Sequence, residues 1–147
     1  MSFQDDPNLI HWRLYLKSPI TGVFQVLATD DGRASFWAES AMENNGVIHF
    51  VFPNQMTWDG LILESIPPQK YSVRYYGNSV TTFTLEEDGE GGTILTLTDA
   101  GVPIQDRTEV IAGWVSVLMN LKAVVEFGVD LRNHDMTRQW DNGFVEN

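Results

Sequence analysis

Cysteine is absent from the 147-residue sequence, which removes disulfide scaffolds, thiolate nucleophiles, thiolate zinc sites and Cys-ligated iron–sulfur clusters. Positive charge is scarce. Nine Lys and Arg stand against 20 Asp and Glu, a formal net charge of -11, so neither nucleic acid nor an anionic membrane is expected as a partner. Long apolar runs are missing as well: the longest uncharged, largely apolar stretch is residues 110–121, short of the roughly 18–20 residues a bilayer span needs. Residues 1–8 include Asp5 and Asp6, with no basic n-region or apolar h-region, so a soluble, cytoplasmic protein is expected. No repeat and no linker-like low-complexity segment occurs. One domain is therefore expected over 1–147, with a core at about 9–128 and a C-terminal extension, 129–147, packing on it.

What is present is patterning. Ile10, Trp12, Leu14 and Leu16 alternate with His11, Arg13, Tyr15 and Lys17, which predicts a half-buried strand over 9–17. Ser18-Pro19 predicts a short helix to Ala28, with Ser18 as cap, Pro19 at the first helical position and Val23, Phe24 and Leu27 as its stripe. A second short helix is expected over 30–37, capped by Asp30 or Asp31. Turn residues then separate short apolar runs, predicting strands at 39–43, 47–52, 57–65, 71–76, 80–87 and 93–99. Seven antiparallel strands result. A twisted sheet of that size curls and needs a filler for its hollow.

The filler is a helix over 107–127, roughly 32 Å long, opened by Asp106 with Glu109 as a capping-box variant and closed at Gly128. Val110, Ile111, Trp114, Val117, Leu118, Leu121, Val124 and Val125 share an arc of roughly 140°. Glu109, Ser116, Asn120, Lys122 and Glu126 mark the opposite side, where Val115, Met119 and Phe127 form a second weak stripe. The extension could cover one apolar patch with Met136, Trp140 and Phe144, while Arg132 and Arg138 meet carboxylates of the body. A homodimer could cover another, such as Leu61-Ile62-Leu63, which is apolar on both faces of its strand.

Chemical constellations are sparse. His11, His49 and His134 lack metal-ligand spacing, and His11 and His49 are expected to face solvent. No Gly-x-Ser-x-Gly elbow is present. The glycines of 89–92 read as a hairpin turn, since Glu86, Glu87, Asp88 and Glu90 would repel a phosphate. Glu39, Glu43, Asp59 and Glu64 read as a solvated face, with a raised-pKa pair as the alternative. Arg74 faces out if Tyr71, Val73 and Tyr75 face in, and a single bulge would reverse it.

Several of these features, in order, resemble one family. Ser18-Pro19 to Ala28, the acidic turn before Phe36-Trp37, Gly60-Leu61-Ile62-Leu63-Glu64 leading to Pro67-Pro68, then Gly113-Trp114, Leu118, Leu121-Lys122 and Gly128 resemble the SRPBCC superfamily. This is the START and birch-pollen-allergen type of helix-grip domain, and the most similar branch is the homologues of the activator of heat-shock-protein-90 ATPase. The resemblance, over about 9–128, implies an α+β fold in which a curved seven-stranded antiparallel sheet wraps a long C-terminal helix, with two short helices between strands 1 and 2. It also implies a cavity of the kind that holds lipids, polyketides, plant hormones and other apolar ligands elsewhere in the superfamily. It carries over no catalytic residue.

Aromatic residues make up 12% of the chain. Rigid indoles and phenols between sheet and helix can leave an apolar space that a few hydroxyl and N–H groups make selective. Strand parity and helix phase choose Trp37, Phe50, Phe52, Trp58, Tyr75, Phe83, Trp114 and Leu118 as its lining. The expected partner is a small apolar or aromatic molecule, neutral or weakly polar, with no catalytic residue, metal or cofactor assigned. Two alternatives stand beside it. One is a cyclase- or hydrolase-type cavity enzyme, and the other is an interaction module that stimulates a chaperone ATPase.

Overall fold

A computed structural model describes residues 3–147. Leu9–Leu16 forms β1, burying Ile10 and Leu16 while Arg13 and Tyr15 face solvent. Two short helices follow, α1 (Ile20–Ala28) and α2 (Asp30–Phe36). Then β2 (Ser40–Asn44), β3 (Val47–Val51), β4 (Thr57–Ile66), β5 (Lys70–Arg74), β6 (Val80–Glu87) and β7 (Thr93–Ala100) run as an antiparallel meander. The sheet order is β1-β7-β6-β5-β4-β3-β2, so α1 and α2 carry the chain from one edge to the other. Strict alternation puts Ile48 and Phe50, Phe83 and Leu85, and Leu95 and Leu97 on the inner face. There α3 (Arg107–Phe127) buries Trp114, Leu118 and Leu121. The result is the helix-grip arrangement that the periodicities predicted. By length and composition alone α3 could cross a bilayer, a property that core helices share.

The sheet bends over its contents at β4. A Cβ on Gly60 would stand 2.9 Å from Phe50 Cε2 and 3.2 Å from Val73 Cγ1, so only a hydrogen lets the strand pass this close. Just beyond, the β4–β5 register shifts between Ile62 and Glu64. Because this irregularity lies on β4, β5 keeps its parity: Tyr71 and Val73 are buried and Arg74 is exposed.

Helix ends depart from the sequence reading. Ser18 does not cap α1, whose N-cap is Pro19; its hydroxyl donates instead to Val125 O at 2.7 Å, a carbonyl in the last turn of α3 where intrahelical donors run out. Thr29, not Asp30 or Asp31, caps α2 by accepting from Gly32 N at 3.1 Å. Asp30 is drawn away by Arg33, which is fully buried, pairs with Asp30 at 2.5 Å and donates to Ala41 O at 3.0 Å. Asp106 makes no side-chain cap on α3. Gly128 does end that helix in the left-handed conformation, φ 64°.

The segment after α3 is anchored through Arg132. This side chain donates to Ala38 O at 2.8 Å and Ala34 O at 2.7 Å and pairs with Asp130 at 3.0 Å. Arg138 pairs with Asp135. Both arginines therefore meet carboxylates of the segment itself rather than those of the body, because neighbours two or three residues away are reached at little entropic cost. Trp140 and Phe144 are half-buried but Met136 is exposed, and Val115, Met119 and Phe127 on α3 stay uncovered.

Candidate functional site

β5 stops at Arg74 because the next turn, Tyr76–Asn78, places Gly77 (φ 62°) and Asn78 (φ 64°) in the left-handed region. The sequence pattern carried the strand to Tyr76. The early stop sets Tyr75 and Tyr76 at one end of the grip, facing the N-terminal half of α3 and the β3–β4 loop. A cavity of about 290 Å³ opens there, and the final segment forms part of its rim through Trp140, Asp141 and Asn147.

Rings make a continuous wall. Phe52 stacks on Trp58 at 4.2 Å between centroids, Trp58 meets Tyr75 at 5.4 Å, and Tyr75 meets Trp114 at 5.6 Å. On α3 the wall includes Gly113, where an added Cβ would meet no atom within 4 Å. A mid-helix glycine gives up about 1 kcal/mol of helix propensity relative to alanine, and here it leaves open room.

Of the eight residues chosen from the sequence, Trp37, Phe52, Trp58, Tyr75 and Trp114 lie on this wall. Phe50, Phe83 and Leu118 do not. They are buried behind it, with Trp37 packed 4.9 Å from Phe50 and 5.4 Å from Phe83. Large rings fill the middle of the grip, so the free space moves to its open end. Sequence reasoning missed Tyr76, Gly113, Asn120 and Trp140. The Gly77-Asn78 turn signal could have placed Tyr76. Asn120, expected on the polar side of the helix, is 6% exposed and faces the cavity.

The polar groups fall into two layers. At the floor, Trp37 Nε1 donates to Tyr75 Oη at 3.0 Å, and Trp114 Nε1 donates to Asp99 Oδ2 at 2.9 Å. Thr81 Oγ1 donates to the other Asp99 oxygen at 2.9 Å. Burial pushes the Tyr75 hydroxyl far above its ordinary range, and the nearby Asp99 adds to this. Burial also pushes Asp99 up, against the hydrogen bonds that hold its charged form. Trp58 Nε1 is buried and makes no hydrogen bond of normal geometry. At the rim, Tyr76 Oη donates to Asp106 at 3.2 Å and Trp140 Nε1 donates to Glu109 at 2.9 Å. Among the described residues no group of three His, Asp or Glu is placed to hold a metal ion. The arrangement can enclose a small apolar body and offer it aromatic rings, the Tyr75 hydroxyl and rim carboxylates.

Fold and cavity together define a helix-grip domain with a recess at one end of the grip. The chain belongs to the family of activator of Hsp90 ATPase homolog 1-like proteins, whose profile matches residues 17–126. No curated protein sequence matches it. Among solved structures it is similar to the Aha1 dimer from Colwellia psychrerythraea, at 23% identity over 82% of this chain and 97% of that one, with a TM-score of 0.73. Protein SSP2350 from Staphylococcus saprophyticus is 24% identical over 82% of this chain and 93% of that one, TM-score 0.70. CalU16 from Micromonospora echinospora is 24% identical over 80% of this chain and 73% of that one, TM-score 0.67. At these identities the likeness is one of fold.

Proposed function

We propose that the protein binds a small, largely apolar molecule in the recess at the end of the grip, without covalent chemistry of its own. The observation that carries this reading is the 290 Å³ cavity walled by aromatic rings and left open at Gly113. That volume sits at the low end of the range for small-molecule sites, so the guest is compact. Burial of its apolar surface drives binding at about 25 cal/mol per Å², and polar groups at floor and rim orient it. Tyr75, whose hydroxyl holds an indole N–H and whose acidity is suppressed, serves as a fixed dipole rather than a proton donor or base. A second copy of the chain belongs to the same proposal. The Colwellia relative is described as a dimer, and Leu61, Leu63 and Ile66 on β4 are exposed for such a contact.

Gly113→Leu tests the reading without unfolding the protein. The new side chain enters open space, and the helix gains about 1 kcal/mol of propensity. The wild type is expected to bind the apolar fluorophore N-phenyl-naphthylamine saturably, one to one, and the variant to be at least as heat-stable but to bind at least tenfold more weakly. Equal binding by both proteins would place the guest elsewhere.

A further inference from the structure

Three carboxylates stand at the recess: Asp106 and Glu109 from the start of α3, and Asp141 from the final segment. Among the described residues no Lys, Arg or His is paired with any of them. Tyr76 and Trp140 each give one hydrogen bond, to Asp106 and Glu109, which fixes two carboxylates beside the aromatic wall while leaving oxygen lone pairs free. Among the described residues Arg132 is the one cationic side chain that reaches the cavity, and it is already spent on Asp130 and the carbonyls of Ala34 and Ala38. Arg107, next to Asp106 in sequence, points its guanidinium at the carbonyls of Gln4, Asp6 and Leu9 instead.

The aromatic wall suits a cation as well. Faces of indole, phenol and phenyl rings carry negative potential, and Phe52, Trp58, Tyr75 and Trp114 lie in one continuous series along the recess. An acidic cleft on a protein of net charge -11 concentrates cations at its mouth. The floor also points to a guest: the Tyr75 hydroxyl accepts from Trp37 Nε1–H at 3.0 Å and draws the Trp58 indole N–H as well, which leaves its own O–H as a donor for an acceptor that the guest would bring.

Resting on the binding function proposed above, we infer that the guest is a cation: a compact aromatic or alicyclic amine or quaternary ammonium, bearing an oxygen acceptor, whose charge sits between the aromatic wall and the Glu109 and Asp141 carboxylates. This narrows the neutral or weakly polar guest expected from composition. An anion would meet three carboxylates.

A charge-only comparison tests it. The probes are meta-hydroxyphenyl trimethylammonium and its uncharged isostere meta-tert-butylphenol, titrated into the whole chain while the indole N–H resonances of Trp58, Trp114 and Trp140 are followed by NMR. The cation is expected to bind at least about tenfold more tightly than its isostere. In the double variant Glu109→Gln, Asp141→Asn that ratio falls to near one, with the affinity for the phenol unchanged. A neutral isostere that binds as tightly as the cation overturns the inference and leaves the cavity reading standing, as does a ratio that survives the double substitution. If neither probe moves the Trp58 and Trp114 resonances, the cavity reading falls together with the inference.

Discussion

Asp99 is fully buried behind the cavity floor, where two donors, Trp114 Nε1–H and Thr81 Oγ1–H, hold its oxygens. No cation offsets its charge there, and burial raises its pKa above the ordinary carboxylate value. The folded protein therefore takes up this proton more readily than the unfolded chain does. The sign is the reverse of an ion-paired aspartate: the charged group lowers stability above its folded pKa, and that penalty fades as pH falls through it. Asp99→Asn keeps an acceptor for Trp114 and sheds the buried charge, so its stability at about pH 7 should equal or exceed that of the wild type, the gap closing toward about pH 4. Asp99→Ala strands the Trp114 N–H and should lose about 1–3 kcal/mol. Urea denaturation of the three proteins at both pH values decides the matter, and an Asn variant as unstable as the Ala variant would contradict it. Nothing local in the sequence marked this residue. In the structure the alternation of β7 puts it on the inner face with Leu95 and Leu97, but its role follows from a helix residue that packs against it across the grip.

Among the elements, the strands and the long helix were legible because each is governed by its own period. Caps were not, because the same Ser, Thr or Asp oxygen can serve a cap or a distant donor, and neighbours decide. Asp30 illustrates this: it stands next to the cap of α2 but accepts from Arg33 and from the backbone of Glu43. Glycines divide in the same way. Gly60 and Gly113 look alike in sequence, yet one is hemmed in and the other borders space. Gly60→Ala must push Phe50 or Val73 aside and should lower stability by about 1–3 kcal/mol. Gly113→Ala should raise it by up to about 1 kcal/mol. Thermal unfolding of the pair measures the contrast, and a Gly60→Ala variant as stable as the wild type would show that β4 has slack which the close contacts deny.

At the scale of the whole molecule, the segment after Gly128 decides how open the recess is, since it bears Trp140 and Asp141. It is clasped to the body at His134, whose two ring nitrogens lie 2.7 Å from Glu39 and 2.7 Å from Asp130. Hydrogen bonds that its ring N–H groups donate to Asp130 and Glu39 raise the His134 pKa. Burial pushes Asp130 up, but hydrogen bonds from Arg132 and His134 outweigh it and bring this carboxyl down to about 2. The raised histidine supports the clasp below its ordinary pKa and loses that support as pH rises through its folded value. The lowered aspartate supports it above the ordinary carboxylate range and fails only as pH falls toward about 2. The clasp is thus firmest between about pH 4 and about pH 6.5, by roughly 0–1 kcal/mol per half-exposed pair. Hydrogen-exchange protection of residues 129–147 should fall between about pH 6 and about pH 9 in the wild type and stay flat in His134→Ala. Protection equal across that range in the wild type would remove the histidine from the clasp. By itself the sequence determined the elements, their order and the grip, because periodicity and turn residues act within a few positions and a curled sheet has one hollow for its most apolar helix. Tertiary structure alone decided where the empty space lies and which charges border it. Both depend on how large rings from β3, β6, α2 and α3 fill a common volume, and on where a C-terminal segment with no period of its own comes to rest.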